Sequence, residues 1–199
     1  MVKIRRRIKR KASAKKIKIL HETALINLGA VFAFKGGFNL MKLVIAEKPS
    51  VAFSIAKALG ISGKKDGYIE GGGYIITWCV GHLVALAEPS TYDNRFAKWA
   101  YEDLPIIPEH FKYKINGEKN KQFKVVKDFM HKKDVTEVIN ACDAGREGEL
   151  IFRLVYNQAG CKKPIKRLWI SSMEEIAIRE GFDSLKDGIE YENLYNSAL

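Results

Sequence analysis

The stretch Met41-Lys-Leu-Val-Ile-Ala-Glu-Lys-Pro-Ser50 passes from an apolar, β-branched run straight into an acid, a base and a proline. Residues 42–46 read as a short strand, and Pro49 suits the first turn of a helix, where its missing N–H is not needed. Beyond it Val51, Ala52, Ile55, Ala56 and Leu59 recur at helical spacing, and Gly60 supplies the stop. Strand, tight turn, helix is the opening unit of an α/β fold, and Glu47 and Lys48 sit in its turn.

The same unit recurs downstream. Thr136–Ala141 predicts a strand, Cys142-Asp-Ala-Gly-Arg-Glu-Gly-Glu149 a turn, and a helix from near Arg146 buries Leu150, Ile151, Leu154 and Val155 before Gly160. Lys166–Ile170 predicts another strand, followed by Ser171-Ser172 and a helix over about 173–185. Between the units, Tyr68–Glu70 and Tyr74–Cys79 flank Gly71-Gly72-Gly73 as a β-hairpin, which Gly81-His82-Leu83 closes. Residues 88–121 carry Pro89, Pro105, Pro108 and six aromatics and read as a loop-rich excursion, its aromatics packed within it. Residues 121–131 then predict a helix with Phe123, Val126 and Met130 on one side. Strands alternating with helices imply a parallel sheet with helices on both faces, its chemistry at the carboxyl ends of the strands.

With 47% hydrophobic residues the 199-residue chain can bury a core, which excludes disorder throughout. Its net charge of +11 points to a polyanionic partner only until its distribution is read. Residues 1–40 hold eleven Lys and Arg against one acid, Glu22, so the remainder is close to neutral. Ten of those bases fall within the first eighteen residues, a density that repels and is expected to stay disordered. Residues 1–40 therefore read as a basic leader, an upstream extension or a misplaced start. A nucleic-acid-binding arm is the functional alternative. The apolar run Ala24–Phe34 is interrupted by Asn27 and Gly29 and falls short of the roughly 20 residues a bilayer span needs, so no membrane partner is expected. A signal peptide is disfavoured because no A-x-A site follows. Cys79, Cys142 and Cys161 form no C-x-x-C and read as core thiols of a protein in a reducing cytoplasm.

The chemistry lies in the two acidic turns. If the strands before them are neighbours, Glu47, Asp143 and Glu147 converge on one edge of the sheet. Carboxylates at close range repel, and Mg²⁺ relieves that cost while keeping waters and taking phosphate oxygens. Two helix N-termini at that edge would offer N–H groups to a phosphate, with Lys48 and Arg146 as direct contacts. Each turn alone has a plainer explanation, since acids in a first helical turn complement the dipole. Glu149 lies deeper in its helix and reads as a supporting or surface acid. His82 is either a phosphate contact or a turn histidine bonded to backbone. No G-x-x-x-x-G-K-[ST] occurs, and Gly71-Gly72-Gly73 lies in a hairpin, so no nucleotide cofactor is expected.

The segments Met41–Ser50 and Cys142–Ile151 closely resemble the Toprim domain of bacterial type IA DNA topoisomerases, in particular topoisomerase III. Gly81–Leu83, Tyr101–Pro108 and Arg167–Ser172 are similar to the same family, and the likeness runs over residues 41–199. The resemblance implies a Toprim, Rossmann-like domain over 41–185, with 186–199 opening a DNA-gate region. It implies single-strand cleavage of DNA through a tyrosine, strand passage and religation, with Mg²⁺ as cofactor and single-stranded DNA segments as partner. Carried over, Glu47 is a metal ligand and proton donor, Lys48 holds the scissile phosphate, and Arg146 orients it. Asp143 and Glu147 complete the metal site, and His82 contacts DNA. Two departures stand out. Gly145 occupies a position where the common D-x-D pattern has a carboxylate, and the family's tyrosine lies beyond the Toprim domain, so the chain reads as a fragment that does not relax DNA alone. Toprim nucleases and primases, or a non-catalytic module binding metal or DNA, are the alternatives.

Overall fold

The computed structural model describes residues 40–199, so the reading of the basic leader lies outside the described residues. Strand β1 (Met41–Ala46) leads through the Glu47-Lys48 turn into helix α1 (Pro49–Ala58). Strands β2 (Gly63–Lys65), β3 (Tyr68–Gly71) and β4 (Tyr74–Trp78) follow. β5 (Val84–Leu86) and β6 (Tyr113–Ile115) bracket the excursion. Helix α2 (Asn120–His131) precedes β7 (Val135–Ala141), and α3 (Arg146–Ala159) precedes β8 (Ile165–Arg167). Helix α4 (Glu175–Asp183), β9 (Lys186–Asp187) and α5 (Glu192–Asn196) end the chain.

Seven strands make one sheet in the order β2-β3-β4-β1-β7-β8-β9. Its centre, β4-β1-β7-β8, is parallel, and both margins are antiparallel. β1 reads as an unbroken apolar run because it is central and covered on both faces. Leu43 and Ile45 join one core with Phe123, Val126 and Met130 of α2 and Ile151, Phe152 and Val155 of α3. Val44 and Ala46 join the other with Ala52, Ile55 and Ala56 of α1 and Ile178 of α4. The expected mixed α/β layering is thus observed. Among the described residues no helix is long and apolar enough to cross a membrane.

Two features differ from the sequence reading. The strand expected over 166–170 ends at Arg167, because its partner β7 stops at Ala141 and only the Leu168 N–H still bonds back, to the Asn140 carbonyl. The excursion has its own two-stranded sheet, β5 with β6, and three short 3₁₀ turns between those two strands. So small a sheet offers little interior, and Trp99, Tyr101 and Phe111 are exposed rather than packed within it. Residues 186–199 pair with β8 through β9 and pack α5 against α3, within the compact unit 40–199.

Candidate active site

Register brings the two acidic turns together. Ala46 of β1 is opposite Ala141 of β7 on one side and Trp78 of β4 on the other. The residues that follow, Glu47, Cys142-Asp143 and Cys79, therefore leave one sheet edge side by side. Two helices begin there, α1 after Lys48 and α3 after Gly145, and neither N-terminus receives a side-chain cap. Their first N–H groups have no intrahelical acceptors and point at the same edge, a geometry suited to an anion.

The six residues singled out in the sequence are placed as follows. Glu47 is buried, and its Oε1 lies 3.3 Å from the Lys48 ammonium. Lys48 itself is exposed. Asp143 is exposed and forms no salt bridge or side-chain hydrogen bond among the described residues, and the same holds for Arg146. Glu147 is drawn to His82, whose Nε2 lies 2.5 Å from its Oε1. His82 is thus paired with an acid rather than with backbone. Among the described residues no three His, Cys, Asp or Glu side chains close into a ligand cluster. The carboxylates share an edge, and one of them is held by histidine.

That donor set fits Mg²⁺. Glu47 and Asp143 offer hard oxygens, one buried beside a single ammonium and one open, and Mg²⁺ needs only one or two protein carboxylates alongside waters and phosphate oxygens.

The turn before α3 is shaped by glycine. A Cβ on Gly148 would stand 2.2 Å from the Asp143 carbonyl oxygen, so only glycine lets the first turn of the helix close on that backbone. Gly145 is the opposite case: it is extended, and a Cβ there meets nothing within 4 Å.

Beneath the turn lies a polar network that sequence reasoning missed. Arg167 is wholly buried, and its guanidinium donates to the carbonyls of Asn140, Cys142, Asp143 and Leu168 at 2.7–3.2 Å. Its Nε lies 3.1 Å from Glu149 Oε2, too poorly aligned for a hydrogen bond, so the pair is Coulombic. Burial lowers the pKa of this guanidinium, and the Glu149 carboxylate opposes the shift. Glu149 is buried too, accepting from Asn140 Nδ2 at 2.8 Å and Arg153 Nε at 2.9 Å. It is a structural acid below the loop, a role that apolar spacing on a helix does not reveal. Arg167 also lies 5.0 Å from the Trp169 ring, which stacks on Tyr191.

The comparisons bear on this geometry. Residues 42–173 match the family model described as Toprim domain. The chain is 53% identical over 160 residues to a DNA topoisomerase 3 of Staphylococcus haemolyticus, covering 80% of this chain and 22% of that protein. A DNA topoisomerase 3 of Bacillus anthracis is 52% identical over 157 residues, 79% of this chain and 22% of that protein. The chain thus spans about a fifth of the length of these relatives. Among solved structures, full-length topoisomerase I of Thermotoga maritima is similar at 20% identity and a TM-score of 0.48, over 73% of this chain and 21% of that one. With the matched region enclosing both acidic turns, the chain belongs to the Toprim domain family.

Proposed function

We propose that this domain holds Mg²⁺ and the scissile phosphate of single-stranded DNA, as the Toprim part of a type IA DNA topoisomerase. The observation that carries the reading is the Ala46–Ala141 register, which brings the turn holding Glu47 beside the turn holding Asp143 at a sheet edge with two uncapped helix N-termini. Likeness to proteins named DNA topoisomerase 3 supplies the reaction class.

In this reading Glu47, Asp143 and Glu147 would hold the magnesium ion, Glu147 with its carboxylate oriented by His82. The metal, when bound, neutralises phosphate charge and polarises a phosphoryl oxygen. The chain's own residues do the rest by positioning and charge. Lys48 and Arg146 bind phosphate oxygens from either turn. The N–H groups of α1 and α3 hold the anion in line. Glu47 would give the proton of its neutral carboxyl to the leaving 3′ oxygen and hold the metal as the carboxylate that remains. His82 steadies Glu147 and faces the DNA backbone.

No tyrosine hydroxyl among the described residues hydrogen-bonds to Glu47, Asp143 or Glu147. In this reading the domain binds metal and DNA, and the chain does not relax supercoiled plasmid by itself. Three free, buried cysteines agree with a reducing, cytoplasmic setting.

The test is fluorescence anisotropy with a labelled single-stranded oligonucleotide, with and without Mg²⁺, across a salt series. Lys48→Met and Arg146→Met should each weaken binding and lower the salt slope by about one counterion. Binding unchanged in both variants would remove the phosphate assignment. Plasmid relaxation by the 199-residue chain would contradict the division of labour.

A further inference from the structure

Next to the acids stands the turn Cys79-Val80-Gly81. Val80 holds a φ of +53°, a region that a β-branched residue enters only under strain, and Gly81 follows at +66°. The two left-handed residues swing the chain so that the Gly81 N–H donates to the Glu47 carbonyl at 3.1 Å, and the next residue, His82, reaches Glu147. A strained backbone of this kind persists only where its surroundings over-determine it.

The restraint comes from the start of α2 and the turn before it. Lys119 Nζ donates to the His82 carbonyl at 3.1 Å. Gln122 Nε2 donates to the Trp78 carbonyl at 2.9 Å, and the Asn116 N–H to the Leu83 carbonyl at 2.9 Å. Gln122 and Asn116 fix the two ends of the segment. Among the described residues only Lys119 grips the residue whose ring meets the acid, and it does so with a charge-assisted bond from a half-buried ammonium.

We infer that Lys119 is a positioning residue: by holding the His82 carbonyl it sets the imidazole on Glu147 and so fixes where that carboxylate stands at the sheet edge. The ammonium is directed at the backbone of the turn, so its role is exerted through His82. The consequence for magnesium rests on the function proposed above, whereas the consequence for His82 does not.

The experiment uses the full chain without metal or DNA, at one fixed pH. Imidazole ¹H–¹⁵N spectra resolve the chain's four histidines, and His82→Gln assigns the relevant signals. Lys119→Met should move the His82 signals to those of an unpaired imidazole, and Lys119→Arg, which keeps a charged donor, should restore them. Magnesium affinity should fall about tenfold in Lys119→Met, the low end for residues that orient ligands, and recover in Lys119→Arg. If Lys119→Met does not fold, Lys119→Gln, whose amide is too short to reach, carries the same comparison. Unmoved His82 signals in a folded Met or Gln variant would overturn the inference, as would Lys119→Arg signals shifted as far as those of Lys119→Met. His82 signals that move while magnesium affinity holds would support the positioning role and count against the magnesium reading, so the two failures are separable.

Discussion

Glu149 and Arg167, 3.1 Å apart and both sealed from solvent, form an ion pair directly under the acidic turn. Removing one charge of such a pair leaves the other buried without compensation, which typically costs about 3–5 kcal/mol. Arg153 also depends on Glu149, so Glu149→Gln leaves two arginines short of their carboxylate. Urea unfolding of Glu149→Gln should show a loss of at least about 3 kcal/mol. A midpoint close to that of the parent chain would mean the network contributes little.

Gly148→Ala should be destabilising although alanine is the better helix former. Propensity favours alanine by up to about 1 kcal/mol. The added methyl would overlap the Asp143 carbonyl, and overpacking of this kind costs about 1–3 kcal/mol. The net loss should come with weaker Mg²⁺ binding, because the backbone that must move carries Asp143. Thermal unfolding and a magnesium titration on the same sample check both, and a stabilised variant with normal affinity would show that the turn yields freely.

Gly145→Asp should have the reverse effect. Its extended backbone suits any residue, and the space around a Cβ is open. An aspartate there caps α3, favourable by a few tenths of a kcal/mol over glycine, and adds the carboxylate that the D-x-D pattern has at this position. Magnesium should bind more tightly than to the parent chain. Weaker binding would mean that the added side chain turns away from Glu47 and Asp143.

Much of this arrangement was legible in the residues themselves. The β1–α1 and β7–α3 units announced themselves because a central parallel strand is an unbroken apolar run and a helix start carries its own signals, Pro49 and the glycine-acid turn. Glu47, Lys48, Asp143, Arg146 and Glu147 could be named because each lies in the turn after such a strand or in the first turn of the helix that follows. β2, β5 and β6 could not, since three-residue strands are defined by partners: Val84 pairs with Ile115, 31 residues away. Arg167 stood in the sequence as one residue of a predicted strand, and its burial depends on carbonyls gathered from the ends of two strands. Lys119 and His82 meet only after the excursion has brought α2 back to the sheet.

The cysteines yield a pH prediction. The Cys79 thiol beside it and burial together push the Cys142 thiol well above its ordinary value. A folded-state pKa raised above the unfolded one, about 8.5, contributes stability that is complete below that value and is lost as pH rises toward the folded pKa. Stability to urea should therefore decline as pH is raised above about 8.5, more steeply than in Cys142→Ala measured against its own neutral-pH value. In the native chain at pH 8 none of the three buried cysteines should react readily with a thiol reagent, and all three should react after unfolding. Rapid native labelling of Cys142 would contradict its placement.

The central claim is that Glu47 and Asp143 share a magnesium ion because β1 and β7 run side by side. Calorimetric titration of Mg²⁺ into the parent chain, Glu47→Gln and Asp143→Asn measures this most directly. Each variant should lose at least tenfold in affinity with the thermal midpoint preserved. Affinity unchanged in both would contradict it.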